Sequence, residues 1–168
     1  MAEHFLSERF KSGHLPNIEI IIQDLHRMMS IFLASPHLAE LRTDLAGDPI
    51  AWLQQYEEDE ITRILINSAI TARIIDDRDK NIFEQANTIC GELIENLDNP
   101  KNTVPLNLRE ACNKIIHAKK INYDTTEINN KIHKNPLLYF YGNKNGIKWK
   151  ASLNVFDYVI KYIETVTM

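Results

Sequence analysis

From Pro136 onward the sequence changes period. In "PLLYFYGNKNGIKWKASL", residues 136–153, the apolar Ile147, Trp149, Ala151 and Leu153 alternate with Lys148, Lys150 and Ser152. That two-residue period belongs to a strand with one buried face. Asn145-Gly146 separates this run from the apolar run before it. A two-residue hairpin turn needs positive φ at both central positions, which Asn and Gly tolerate best. Whatever else the chain forms, it must contain a β-hairpin at about 137–153.

Before that point the period is helical. After Pro16 and Asn17, the residues Ile20, Ile21, Asp24, Leu25, Met28, Met29 and Phe32 recur at three- and four-residue steps, predicting a helix over 17–34. "ASPH" is expected to break it, and "HLAELRTDLAGDP" reads as a short helix ended by Gly47 and Pro49. The longest periodic segment is 50–77, where Ile61, Ile64, Leu65, Ser68, Ala72 and Ile75 form one stripe. The acidic run at 57–60 favours a helix start there, because negative charge suits the positive end of the helix dipole. Residues 81–97 read as another helix, although Gly91 weakens it. "NLDNPKNTVPLN", residues 96–107, reads as a loop. Asn107 is placed to cap the following helix, with Glu110 as the reciprocal partner of a capping box. The polar stretch 122–135 has no clear period. A last helix is expected at about 154–166, through Val155, Val159, Ile160, Ile163 and Val166. The expected fold class is therefore mainly α: one helical bundle over residues 1–168, carrying a single β-hairpin.

With 168 residues, 44% of them apolar, the chain suits one domain with a real core. The most apolar segment, "IEIIIQDLHRMMSIFLA", is interrupted by Glu19, Gln23, Asp24, His26 and Arg27, so no membrane span is expected. "MAEHFLSERFKSGH" has no basic segment followed by an apolar one, so no secretory signal is expected either. Cys90 and Cys112 fit two reduced thiols and a cytoplasmic location better than a disulfide framework. The net charge of −4 conceals an asymmetry. Residues 1–100 carry 8 Lys/Arg against 18 Asp/Glu, and residues 101–168 carry 11 against 5. The C-terminal part is thus a candidate basic surface; the alternative is that the two parts pack together and neutralise each other.

The chemistry-bearing stretch is "LREACNKIIHAKKI", residues 108–121. At 100° per residue, Leu108, Ala111, Cys112, Ile115 and Ile116 share an apolar arc. Arg109, Asn113 and His117 lie along one margin of that arc, with Lys120 beside them. A histidine whose tautomer is set by a neighbour can act as acid or base, and an arginine can steady a phosphate as negative charge builds. The alternative is a row of polar side chains satisfying backbone groups at a helix margin.

"REACNKIIH" resembles the motif of the HEPN superfamily, small helical bundles found among bacterial toxins and defence proteins, many of them metal-independent RNases. "ITRILINSAITARIIDDR", residues 61–78, is similar to the helix preceding the motif, and the likeness spans roughly 55–165. Seven residues separate Arg109 from His117, where the family has four to six, and Lys119 stands where a tyrosine is usual. The resemblance implies that His117 moves the proton at the ribose 2′-hydroxyl or the leaving oxygen, that Arg109 stabilises the phosphorane-like transition state, and that Asn113 holds its neighbours in place. It also implies a homodimer acting on RNA, paired with a cognate antitoxin or defence partner. A second reading is a non-catalytic interaction module with the row hydrogen-bonded inside the monomer.

Further candidates for RNA contact are Lys120, Arg73 as a second cation facing the row, and Tyr141 with Lys148 and Lys150 on the hairpin. Tyr139 and Lys144 stand nearby, and basic residues with aromatics can track single-stranded RNA. The plainer reading of the hairpin puts Trp149 on the core side and the lysines in water. Asp76-Asp77-Arg78-Asp79 reads as a solvated helix end. The histidines at 4, 14, 26, 37, 117 and 133 do not combine with the cysteines at zinc-ligand spacing. No metal and no cofactor are expected.

Overall fold

The structure, a computed structural model, describes residues 17–43, 45–78, 82–84 and 88–167. The elements in chain order are helix α1 (Ile18–Leu41), short helix α2 (Pro49–Gln54), helix α3 (Glu57–Arg78), a 3-10 turn (Ile82–Glu84), strands β1 (Ile89–Ile94) and β2 (Thr103–Asn107), helix α4 (Leu108–His117), strands β3 (Lys120–Ile128), β4 (Lys131–Lys144) and β5 (Ile147–Asn154), and helix α5 (Val155–Thr167). The five strands form one antiparallel sheet in the order β2-β1-β5-β4-β3.

This corrects the expected mainly α bundle with one hairpin: the fold is α+β, with the helices on one face of a five-stranded sheet. The hairpin is there, but it is only the β4–β5 part of that sheet. Asn145 and Gly146 both have positive φ at its turn, 53° and 87°. The expected helix over 81–97 is instead a 3-10 turn and strand β1; residues 81 and 85–87 lie outside the described ones. Gly91 explains the difference. A Cβ there would overlap the carbonyl oxygen of Ser152 on the neighbouring strand, so this glycine marks close backbone approach. The expected loop over 96–107 contains edge strand β2, which tolerates Pro105 because an edge leaves one side of the ladder unpaired. The polar stretch 122–135 is the outer part of the β3–β4 hairpin, whose turn residues Asn129 and Asn130 also have positive φ.

The helices need smaller corrections. Asn17 caps α1, its side chain accepting from the Glu19 and Ile20 amides. The helix then runs through Pro36 to Leu41 rather than breaking at "ASPH". Ser35 helps hold this turn against the sheet, because its hydroxyl accepts from the Lys134 amide at 2.8 Å. The segment expected as one helix over 50–77 is two, separated at Gln55-Tyr56. Asp48 caps the first, accepting from the Ile50 amide at 2.9 Å. α4 begins at its expected cap, with Asn107 Oδ1 accepting from the Glu110 amide at 2.8 Å. α5 follows β5 directly, capped by Asn154.

One core joins these elements. Leu25, Met28 and Phe32 of α1, Ile61, Leu65 and Ala72 of α3, and Ala111, Cys112 and Ile115 of α4 are all buried. They meet Leu138 and Phe140 of β4, Trp149, Ala151 and Leu153 of β5, and Tyr158, Val159 and Tyr162 of α5. The two buried tyrosines have polar partners, as buried hydroxyls must. Tyr158 shares a hydrogen bond with Ser68 Oγ at 2.9 Å, and Tyr162 donates to the Ser68 carbonyl at 3.0 Å. Both ties fasten α5 to α3. Among the described residues, no helix is long and apolar enough to cross a membrane.

Candidate nucleic-acid interface

The sheet has two unlike faces. Leu138, Phe140, Trp149, Ala151 and Leu153 point toward the helices. Strand alternation sends their neighbours Tyr139, Tyr141, Lys150 and Ser152 to the opposite face. Registered pairing then aligns side chains across strands. Tyr141 pairs with Lys120 of β3 on one side and Lys150 of β5 on the other. One step along, Tyr139 lies between Asn122 and Ser152, and Ser152 is followed by Glu92 of β1. Lys148 pairs with Asn143 at the other side of the Tyr141 row.

The result is a band of two phenol rings among three ammonium groups. Lys150 Nζ stands 4.4 Å from the centroid of the Tyr139 ring and 5.9 Å from that of Tyr141. Both distances are in cation–π range. Tyr139 is further fixed by donating to Asp124 Oδ1 at 3.1 Å. The second oxygen of Asp124 accepts from Asn135 Nδ2 at 2.7 Å. Partial desolvation, and then the bond to Asp124, raise the Tyr139 phenol above its ordinary pKa, so the ring is a neutral surface at physiological pH. Lys120 and Lys148 are exposed, and Lys150 and both tyrosines are half-buried. Lys144, by contrast, has the parity of Phe140 and belongs to the helix side of β4.

The row on α4 is differently arranged. Arg109 Nη1 lies 2.8 Å from Asp76 Oδ2. Asp76 is fully buried, its Oδ1 accepting from the Phe83 amide at 3.0 Å. Arg73 Nη1 approaches the same carboxylate at 3.5 Å. Arg73 therefore stands beside Arg109, as the sequence suggested, but the two guanidinium groups meet on a carboxylate of their own chain. Asn113 Nδ2 donates to Glu110 Oε2 at 3.1 Å, and Lys114 pairs with Glu110 Oε1 at 3.0 Å. Burial opposes ionisation of Glu110, but these two hydrogen bonds outweigh it and hold the carboxyl below its ordinary range. Its carboxylate thus serves α4 rather than closing the capping box. His117 is exposed at the last turn of the helix. Eight residues of helix put it about 12 Å along the axis from Arg109.

The sequence-predicted residues thus divide between two places. Lys120, Tyr141, Lys148 and Lys150 come together on the open sheet face, and Arg73 joins Arg109 at Asp76. Asp76 itself is corrected from a solvated helix end to a buried hub. Its four-residue step from Ala72 on the apolar stripe was the available signal. Tyr139 and Asp124 complete the open face. Tyr139 was visible through its alternation with Leu138 and Phe140; Asp124 lay in the stretch without a readable period. His4, His14, Asp79 and the N-terminal segment "MAEHFLSERFKSGH" lie outside the described residues. No protein-family model, curated protein or solved structure matches the chain.

Proposed function

We propose that the protein binds single-stranded RNA on the open face of its sheet. The observation that carries this reading is the registered row Lys120–Tyr141–Lys150, with Tyr139 stacked diagonally under Lys150. Unpaired bases have two π faces that stack on exposed aromatics, while the phosphates between them seek ammonium groups. Tyr139 and Tyr141 supply the stacking surface. Lys120, Lys148 and Lys150 supply the phosphate contacts. The two free thiols, Cys90 and Cys112, support a reducing compartment such as the cytoplasm, where such a ligand is at hand.

Fluorescence anisotropy with labelled RNA and DNA oligonucleotides, single- and double-stranded, tests the reading. Single-stranded RNA should bind; Tyr141→Ala should weaken it about tenfold, one stacked base being worth about 1–3 kcal/mol, and Lys150→Ala should weaken it through the loss of a salt-sensitive phosphate contact. Equal binding by wild type and the double variant would remove the sheet face from consideration. Preference for a duplex would point to another surface.

For the α4 row, the observation that Arg109 and Asn113 are hydrogen-bonded within the chain favours the non-catalytic interaction module over the endoribonuclease. His117→Ala and wild type are then expected to leave purified RNA equally intact. Cleavage by wild type alone would restore the catalytic reading.

A further inference from the structure

The two tyrosine rows of the open face differ in charge. Across the sheet, Tyr141 stands between Lys120 and Lys150, whereas Tyr139 stands between Asn122 and Ser152, with Glu92 beyond Ser152. Ammonium groups therefore flank one ring directly and reach the other only diagonally, through Lys150. The rings are two residues apart on β4, about 7 Å along the strand, so each offers a platform to its own base. Phosphates belong beside the Tyr141 row, where the cations are. The base on Tyr139 lies instead among neutral and acidic groups, which suit a base edge rather than a backbone.

Asp124 borders this second platform. It sits where the β3–β4 register shifts, between Tyr123 and Thr125, and such an irregularity re-aims a side chain. Here it brings the carboxylate to the Tyr139 hydroxyl, which donates to Oδ1 at 3.1 Å. Asn135 Nδ2 donates to Oδ2 at 2.7 Å and reaches Thr126 Oγ1 at 2.8 Å. Both donors are neutral, so they hold the carboxylate in place without cancelling its charge. Among the described residues, no cation pairs with it. An ionised carboxylate has about four acceptor sites; two are taken, and one on each oxygen is left.

An acceptor pair of this kind is matched by a base edge with two neighbouring donors. Guanine presents one, its N1–H beside its 2-amino group. Adenine and cytosine present a single amino group next to an unprotonated ring nitrogen, and uracil presents one N–H between two carbonyl oxygens. Each of these three sets an acceptor against the carboxylate and leaves it unsatisfied. On the reading that RNA binds the open face, we infer that Asp124 selects guanine at the position stacked on Tyr139. Tyr139 and Asn135 hold the carboxylate in position for this contact. The Tyr141 position, flanked by ammonium groups, accepts any base.

Competition titrations with short oligouridines, plain or carrying one guanosine, adenosine, cytidine or inosine, test this on the wild-type protein. The guanosine oligomer should bind about tenfold tighter than those with adenosine, cytidine or uridine alone, a bidentate base contact being worth that much or more. Inosine keeps the N1–H but lacks the 2-amino group, and should fall between guanosine and adenosine. Asp124→Asn should erase the preference, because its amide oxygen still accepts from Tyr139 while its nitrogen opposes the guanine donors. Plain oligouridine should bind this variant no less tightly than wild type, since the Tyr139 platform is kept. Glu92→Gln, altering the other carboxylate of the row, should retain the preference. Wild type that binds all the oligomers equally overturns the inference and leaves RNA binding standing. So does a guanosine preference that survives Asp124→Asn or is lost in Glu92→Gln. Binding of none of the oligomers removes both readings.

Discussion

Asp76 and Arg109 meet at 2.8 Å across α3 and α4, the carboxylate 1% and the guanidinium side chain 22% exposed. The same carboxylate takes the Phe83 amide and faces Arg73, so it anchors the 3-10 turn as well as the two helices. Removing one member of a buried ion pair leaves the other uncompensated, which costs more than the pair itself contributes.

Asp76→Asn is accordingly expected to destabilise the fold by about 3 kcal/mol, read from the urea midpoint. The double variant Asp76→Asn/Arg109→Gln should lose less than the sum of the single losses, by about 1 kcal/mol or more for groups in direct contact. RNA affinity should be the same in all three variants once folded, because the open sheet face is elsewhere. A matching loss of affinity would mean that Arg109 contributes to binding.

The lysines of the open face should reveal themselves through salt. Each phosphate neutralised on a single strand contributes about 0.7 to the slope of log affinity against log salt. Lys150→Ala should reduce that slope by about this amount, and Tyr141→Ala should lower affinity with the slope unchanged. Titrations at several salt concentrations separate the two; identical slopes in wild type and Lys150→Ala would remove Lys150 from the phosphate contacts.

Two glycines hold the sheet together by what they lack. A Cβ at Gly142 would overlap the ring of Trp149, a buried side chain that Lys114 Nζ covers at 4.5 Å. Gly142→Ala should cost about 1–3 kcal/mol, the usual range for overpacking. At Gly91 the obstacle is the backbone of Ser152, which cannot swing away. Gly91→Ala should therefore be the more damaging of the two in chemical denaturation, and the reverse order would mean that β1 can shift away from β5.

Burial pushes the Cys112 thiol up to about 12 and the Tyr123 phenol to about 12. It also raises Cys90, Tyr158 and Tyr162. In each case the folded state keeps a proton that the unfolded chain releases sooner. Their contribution to stability is full below about pH 8.5, the ordinary thiol value, and is lost as pH climbs above it. Alkaline titration of the unfolding free energy should show this decline. Both thiols should react with an aromatic disulfide reagent only as fast as the protein opens; immediate reaction at neutral pH would contradict their burial.

Much of the helical part was legible because local rules and tertiary packing agree there. The stripe through Ile61, Leu65 and Ala72, the cap at Asn107 and the turn at Asn145-Gly146 each act within a few residues. The sheet beyond the hairpin was not legible, for identifiable reasons. β1 carries an irregularity between Ile89 and Gly91 that breaks its alternation, and Phe83, Cys90 and Leu93 happen to fall near helical steps. β2 is short and contains Pro105. β3 and the start of β4 extend as an outer hairpin with little apolar patterning, so Asn129-Asn130, a turn of the same kind as Asn145-Gly146, has no alternating runs on either side to mark it. At the open face, Lys120, Tyr139, Tyr141, Lys148 and Lys150 are all nameable from the sequence. Their alignment is not, because it depends on β3, whose pairing no local pattern announces.

The position of β5 between β1 and β4 has a consequence for synthesis. The β1–β2 hairpin and the β3–β4 hairpin can each close from nearby sequence, but neither touches the other in the ladder until Ile147–Asn154 lies between them. A chain emerging from the ribosome therefore carries the β1–β2 hairpin, complete at Asn107, with its β1 edge unguarded until Ile147–Asn154 has been made. The strand that unites the two hairpins is made nearly last, so this protein has a late window of vulnerability to edge pairing with its neighbours.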